Sequence, residues 1–224
     1  MQQLVLNAKN IHKHVLTQNG VLDILKGLNL QVSRGQSVAI MGESGSGKST
    51  LLGLLAGLDL PQQGEIYFND REITVMDEDQ RADFRANNTG FVFQSFYLMQ
   101  ELTALENVTL PLELFGHKKP QKIAIDWLNK LGLADRMKHL PAQLSGGEQQ
   151  RVALCRAFAV SPSILFVDEP TANLDQKTSQ GVIEQLFMLH KDSGNSVILA
   201  THDRKLANAC DKVYQLIEGQ LYDC

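Results

Sequence analysis

The hydrophobic positions of the chain follow two patterns, and the first is a strict alternation. Apolar and polar residues alternate over 28–32 and again over 65–69, which is typical of strands that bury only one face. Asn69-Asp70 closes the second segment as a turn signal. The first quarter of the chain is therefore predicted to form a small antiparallel sheet.

The second pattern is a short run of consecutive apolar residues. Such runs cover 37–41, 164–167 and 197–200, and strands of a parallel sheet that is covered on both faces have this composition. The first run leads through a glycine-rich loop into 51–56, which is helix-like in composition. These runs predict an α/β core.

Strand signals vanish in the middle of the chain. Apolar residues at helical spacing lie between 123 and 131, and 152–160 is another helix candidate. We therefore predict a single domain for the whole chain, with a catalytic core and its β subdomain from 1–94 and 162–224, and a helical subdomain from 95–161.

Composition narrows the class of protein. The 224 residues, 43% of them hydrophobic, suit one large α/β domain, and the net charge of −4 gives no basic field for nucleic acid. Cys155, Cys210 and Cys224 have no close spacing, which favours reduced thiols in the cytosol. We expect no signal peptide and no direct membrane insertion, because the longest apolar stretch is far below the roughly 20 residues of a membrane span.

Residues 42–49 fit the phosphate-binding pattern G-x-x-x-x-G-K-[ST] between a predicted strand and a predicted helix. Glycines let backbone N–H groups turn around phosphate oxygens, and the helix start adds its dipole. We expect Lys48 to reach the β- and γ-phosphates and Ser49 to ligate Mg²⁺. The alternative is a purely structural glycine turn. The residues assigned to nucleotide binding are Gly42, Glu43, Ser44, Gly45, Ser46, Gly47, Lys48, Ser49 and Thr50.

The apolar run 164–167 ends in two carboxylates, Asp168 and Glu169. An acid at the exposed end of such a strand can hold Mg²⁺ through water, which is the role expected for Asp168. Glu169 can face the γ-phosphate and polarise the attacking water. From these residues alone, a pair of solvated acids remains the alternative, because such strand ends are common in α/β sheets.

A third motif lies at 144–151, Leu-Ser-Gly-Gly-Glu-Gln-Gln-Arg, before the helix candidate. Ser145 is a good N-cap, and Glu148 three residues later predicts a capping box. Gly146 and Gly147 permit close backbone approach, so the same helix start also suits a second phosphate-binding surface. One nucleotide does not need two such surfaces from one chain, so we expect the second to come from another copy.

Leu144–Glu148 resembles the LSGGQ signature of ABC ATPases, with glutamate in place of the final glutamine. Other landmarks of that family appear in order, and the match covers essentially the whole chain. Gln94 resembles the Q-loop glutamine, Asp175 the D-loop aspartate and His202 the switch histidine. The resemblance implies that Gln94 touches Mg²⁺ or the lytic water and senses a membrane partner. It implies that His202 contacts the γ-phosphate and that Asp175 communicates across a dimer.

Finer features resemble one group of this family. Segments 42–52, 104–108 and 168–175 are similar to the lipoprotein-release and macrolide-export group of LolD, MacB and FtsE relatives, and 91–96 and 140–144 to its YbbA type. The resemblance implies a RecA-like P-loop NTPase core with an antiparallel β subdomain and a helical subdomain. It also implies ATP and Mg²⁺ as ligands and a homodimer that works at the cytoplasmic face of the inner membrane. The implied partner is a permease with a periplasmic domain.

Three functions compete at this point. The first is the energising subunit of a membrane exporter or extraction complex, and the second transmits force to periplasmic enzymes without transport. The third, a nucleotide switch in DNA repair or translation, is disfavoured because the chain has no coiled-coil insertion, zinc module or basic stripe. The resemblance also places Val15 where relatives carry an aromatic residue that stacks on adenine, so we expect relaxed base selectivity.

Overall fold

A computed structural model describes residues 3–18 and 20–224. The strands are β1 (Leu4–Thr17), β2 (Gly20–Ser33), β3 (Ser37–Met41), β4 (Gln63–Phe68), β5 (Arg71–Glu72), β6 (Thr89–Val92), β7 (Ile164–Asp168), β8 (Ser196–Thr201), β9 (Lys212–Ile217) and β10 (Gln220–Asp223). The helices are α1 (Lys48–Leu55), α2 (Glu78–Asn88), α3 (Ala104–Leu114), α4 (Pro120–Lys130), α5 (Gly146–Ala159), α6 (Gln176–Ser193) and α7 (Arg204–Ala207). Short 3₁₀ turns lie at Ala134–Arg136 and Pro141–Gln143.

The first sheet is antiparallel, with strand order β2-β1-β4-β5. The alternating segment 28–32 lies in β2, and 65–69 contains the end of β4 and the first residue of the turn after it, so the predicted small sheet is confirmed. Asn69 and Asp70 both adopt positive φ, 46° and 66°, a conformation that asparagine and aspartate tolerate in tight turns. The inward side chains of this sheet, such as Leu30, belong to the first hydrophobic cluster.

The second sheet has the order β10-β9-β3-β8-β7-β6, and its central strands are parallel. The three apolar runs form β3, β7 and β8, and nearly all their residues are buried, as expected for strands covered on both faces. Met41 pairs with Thr201, and Asp168 with Ala200. The carboxyl ends of β3, β7 and β8 therefore meet at one edge, where open α/β sheets bind ligands.

Helices α3, α4 and α5 pack together on the second hydrophobic cluster. Trp127 of α4 and Phe158 of α5 contribute to it, with ring centroids 5.8 Å apart. These helices lie within the predicted helical subdomain 95–161, and α5 also contacts β6 and α6 of the core. The division of the chain into subdomains stays a prediction. No helix of the described residues is both long and apolar enough to span a bilayer.

Candidate functional site

Two glycines of the loop between β3 and α1 have no room for a side chain. A Cβ atom on Gly42 would lie 2.5 Å from Ser46 Oγ, and one on Gly47 would lie 2.7 Å from Ile24 Cγ2. Gly47 also has a φ of 100° and is the N-cap of α1, which receives no side-chain cap from the described residues. The first N–H groups of α1 are therefore available to an anion.

Lys48 opens α1 and is 7% exposed. Its Nζ donates hydrogen bonds to the carbonyl oxygens of Gly42 and Glu43, at 2.8 and 2.9 Å, and lies 3.6 Å from Glu169 Oε1. A buried ammonium group requires such partners, because its desolvation is otherwise costly. The loop thus holds a cation at its centre.

Asp168 ends β7 and lies beside α1. Burial raises the pKa of its carboxyl group, and a hydrogen bond with the Ser49 side chain opposes that shift. Asp168 Oδ1 is buried and has no hydrogen-bond partner within residues 3–18 and 20–224. A carboxylate oxygen and a hydroxyl are donors that a hard cation such as Mg²⁺ prefers. Residues 3–18 and 20–224 contain no cluster of three or more His, Cys, Asp or Glu side chains that could hold a metal ion alone.

Glu169 occupies a strained backbone position, with a φ of 44°. Its N–H donates to Ala200 O at 2.9 Å, which fixes this residue to the end of β8. Its Oε2 lies 2.9 Å from His202 Nδ1 and 3.4 Å from the Thr201 hydroxyl. A left-handed conformation costs a non-glycine residue on the order of 1 kcal/mol and persists only where the surrounding structure holds it. The Glu169 carboxylate is thereby held between Lys48 and His202.

These groups share one open cleft of about 1050 Å³. Most residues assigned to the nucleotide or to catalysis line it: Glu43, Ser44, Gly45, Ser46, Gly47, Lys48, Ser49, Thr50, Gln94, Glu169 and His202. Gly42 reaches the cleft indirectly, through its hydrogen bond with Lys48, and Asp168 directly precedes Glu169 at the end of β7. The cleft is large enough for a nucleotide, since ligand sites usually measure about 300–1,000 Å³.

One wall of the cleft comes from residues that the sequence analysis did not assign. They belong to β2 and to the turn between β9 and β10: Leu22, Asp23, Ile24, Lys26, Glu218 and Gly219. Val15 pairs with Leu22 in the hairpin, and Leu22 lines the cleft. No local motif marks these positions, because the packing of β10 against β2 brings them together.

Gln94 follows β6, and its carbonyl oxygen accepts a hydrogen bond from Asn173 Nδ2 at 2.9 Å. Phe96 and Tyr97 just beyond it both have positive φ, 58° and 46°. The Arg156 guanidinium stabilises this turn by donating to the carbonyl oxygens of Tyr97 and Phe96, at 2.5 and 2.7 Å. Arg156 lies on α5, so the segment after Gln94 is tied to that helix.

The remaining predicted site residues lie on a separate surface at the start of α5. Ser145 N and Oγ donate to Glu148 Oε2, both at 2.8 Å, and Glu148 N donates back to Ser145 Oγ at 3.3 Å. The predicted capping box is therefore confirmed. In the described part of the chain, none of Ser145, Gly146, Gly147 and Glu148 lines the cleft.

Asp175 is close to this second surface. It caps α6 by accepting hydrogen bonds from Lys177 N and Thr178 N, both at 3.0 Å, and from Thr178 Oγ1 at 2.6 Å. A Cβ atom on Gly147 would collide with Thr178 Cγ2. The start of α5 and the cap of α6 therefore form one packed surface, distinct from the cleft that contains Lys48.

Comparison with known proteins identifies close relatives. The family model described as "ABC transporter" matches residues 25–172. The "Uncharacterized ABC transporter ATP-binding protein YbbA" of Escherichia coli (strain K12) is 48% identical over 221 residues, which are 98% of this chain and 97% of that protein. The "Lipoprotein-releasing system ATP-binding protein LolD" of Acinetobacter baylyi is 40% identical over 226 residues, covering 100% and 99% of the two chains.

Solved structures of the same type also match. The dimeric, post-hydrolysis structure of the ATP-binding cassette MJ0796 bound to ADP and Pi has a TM-score of 0.90 and 38% sequence identity, with 96% of both chains covered. A second structure of MJ0796, described as a dimeric bacterial ABC transporter cassette, matches with the same values. The α/β fold of ABC cassettes that the sequence resemblance implied is therefore confirmed.

Proposed function

Since the chain belongs to the ABC transporter family, we propose that it is the ATP-binding and ATP-hydrolysing subunit of a membrane transporter, which it energises by ATP-driven dimerisation. One observation carries this proposal: Lys48, Glu169 and His202 converge on a single cleft at the carboxyl ends of β3, β7 and β8. A fixed cation, a carboxylate 3.6 Å away and a glycine-rich loop suit phosphoryl transfer, which depends mainly on positioning and charge.

The residues beside the loop fit Mg²⁺. Ser49 would ligate it directly and Asp168 through water, because Asp168 Oδ1 is a buried acceptor with no partner in the described residues. Gln94, which also lines the cleft, would reach the same group or the attacking water. When bound, Mg²⁺ would neutralise charge on the phosphate oxygens.

In the hydrolytic step, each residue has one task. The loop amides and Lys48 hold the phosphates, with Lys48 exchanging its bonds to Gly42 and Glu43 for phosphate oxygens. Glu169 orients and polarises the attacking water as a general base. His202, 2.9 Å from that carboxylate, contacts the γ-phosphate.

Two copies of the chain complete each site. The cleft of one copy lacks the surface at the start of α5, and a helix start with two glycines is suited to phosphate. Ser145 to Glu148 of the second copy would close the cleft, with Asp175 at the same boundary. The dimeric structures of the MJ0796 cassette, 38% identical to this chain, support this arrangement. Bound ATP then holds the two copies together, and hydrolysis releases them.

The membrane partner is a permease with a periplasmic domain, and the ATPase works at the cytoplasmic face of the inner membrane. The similarity to LolD, the ATP-binding protein of a lipoprotein-releasing system, supports this part of the proposal. Tyr97 and Met99, directly after Gln94, are 65% and 51% exposed. Aromatic and methionine side chains are favoured in protein interfaces, so this segment is the proposed permease contact.

Replacing Lys48 by alanine tests the nucleotide site. The phosphates lose their fixed cation, so the affinity for Mg-ATP measured by calorimetric titration should fall at least tenfold, more than ~1.4 kcal/mol. Lys205→Ala, which removes an exposed lysine of α7 that does not line the cleft, is the matched control. Equal affinities for Lys48→Ala and the control would refute the assignment of the cleft.

A further inference from the structure

The second surface, at the start of α5, carries a full negative charge close to the proposed phosphate position. The Glu148 carboxylate accepts hydrogen bonds from the backbone N–H and the hydroxyl of Ser145. These bonds, and then Arg136, lower the pKa of Glu148 to about 2. Glu148 is therefore ionised at neutral pH.

Arg136 is the cation that faces this carboxylate. Its Nε donates to Glu148 Oε1 at 2.7 Å, whereas Ser145 donates to the other carboxylate oxygen, Oε2. Arg136 belongs to the 3₁₀ turn Ala134–Arg136, so a separate segment reaches across to the start of α5. Its side chain is 43% exposed and that of Glu148 is 18% exposed, which leaves the pair at the surface.

A carboxylate alone at this position would oppose the proposed function. The start of α5 must receive the γ-phosphate of a nucleotide that is bound by a second copy, and two anions at short distance repel each other. A glutamine, the residue of the LSGGQ signature, would accept the same bonds from Ser145 without the charge. With glutamate here, a counter-ion is needed, and Arg136 is the cation that contacts Glu148 in the described chain.

We propose that Arg136 is a positioning residue: it neutralises the Glu148 carboxylate, so that the start of α5 can receive the anionic nucleotide of a second copy. This inference rests on the proposed function, because it assumes that Ser145 to Glu148 close a site in trans. A purely structural role, in which Arg136 only anchors its turn to α5, is the competing explanation. The two explanations differ in whether Arg136 is still needed for dimerisation when Glu148 is replaced by a neutral residue.

A double-mutant cycle separates the two roles. Arg136→Met, Glu148→Gln and the double variant are placed in the Glu169→Gln background, and the dissociation constant of the Mg-ATP-induced dimer is measured by sedimentation. Arg136→Met alone should weaken dimerisation at least tenfold, with the defect shrinking as salt screens the uncompensated carboxylate. The double variant should return to within threefold of Glu148→Gln. Lys138→Met removes an exposed cation two residues from Arg136 whose side chain bonds to none of the described residues. This control should leave the dissociation constant of the dimer unchanged.

The outcomes are distinguishable. If the double variant dimerises as weakly as Arg136→Met, the role of Arg136 is structural or it contacts phosphate itself, and the inference is wrong. If Arg136→Met dimerises normally, the Glu148 carboxylate does not need Arg136 to neutralise it, and the inference is again wrong. Should Arg136→Met lose its native melting temperature, Arg136→Lys decides the matter, because it keeps the charge. Dimerisation within threefold of the Glu169→Gln parent supports the inference, and a tenfold loss contradicts it. If the parent variant fails to dimerise with ATP at all, the proposed function itself has failed.

Discussion

The Glu169→Gln variant isolates the catalytic carboxylate from the groups that bind nucleotide. In the structure, Glu169 Oε1 lies 3.6 Å from Lys48 Nζ, an attraction on the order of 4 kcal/mol at an effective dielectric constant of about 20. Glutamine keeps the shape and removes this attraction. Lys48 then has no carboxylate competing with phosphate, so ATP should bind as tightly as to wild type or more tightly.

Turnover should respond in the opposite direction. Loss of a general base costs ~10²-fold or more, which is about 2.7 kcal/mol of barrier at 25 °C. The assay measures phosphate release at saturating Mg-ATP, alongside ATP affinity by titration and the oligomeric state by gel filtration. Slow turnover with intact binding should accumulate an ATP-bound dimer. Glu184→Gln, an exposed carboxylate of α6 outside the cleft, serves as the control. Normal hydrolysis by Glu169→Gln would show that the water is activated by another group.

Two further predictions concern the edges of the site. Val15 and its strand partner Leu22 offer no aromatic face for a base, so GTP should compete with ATP within roughly tenfold. Val15→Tyr should strengthen ATP binding. A strong preference of the wild-type protein for ATP in competition titrations would refute the expected relaxed base selectivity. Tyr97→Glu and Met99→Glu, if they keep the wild-type melting temperature, should lose permease co-purification while basal ATP hydrolysis stays within about threefold. The control Tyr222→Glu changes another tyrosine, which is 50% exposed, and should retain the permease. Equal retention by Tyr97→Glu would show that the permease contact lies elsewhere.

The sequence predicted those parts of the site whose signals are local. Strands β3, β7 and β8 are short apolar runs because both faces of the sheet are covered. The phosphate-binding loop, the acidic pair and His202 lie at the respective strand ends. The glycines at 42 and 47 are required by the closeness of Ser46 and Ile24. The motifs placed Lys48 and Glu169 at the phosphates, and the family resemblance implied the same for His202. The three line one cleft because the carboxyl ends of the parallel strands β3, β7 and β8 share one edge.

Features that depend on long-range packing were not predictable. Leu22, Lys26 and Glu218 line one wall of the cleft, although nearly the whole chain separates the first from the last. Arg136 could not be recognised as the partner of Glu148, because the 3₁₀ turn that carries it has no motif of its own.

Several helices were not predicted, and α2 was missed for a physical reason. In α2, Phe84 is the one buried residue, so this helix has almost no apolar stripe and no helical period in the sequence. Its start carries a capping box formed by Asp77 and Gln80, which was the available signal. Polar helices of this kind are held by caps and ion pairs, here Glu78 with Arg81 and Arg85.

The central claim is that each nucleotide site is assembled from two copies, and mixing two defective chains tests it most directly. Ser145→Arg disables the surface at the start of α5, and Lys48→Ala disables the phosphate loop, so each homodimer has two spoiled sites. A heterodimer has one site with both lesions and one site intact. The account predicts that the mixture partly recovers ATP-driven dimerisation and hydrolysis, above the sum of the two chains measured apart. No recovery, or full hydrolysis by isolated monomers at every protein concentration, would contradict it.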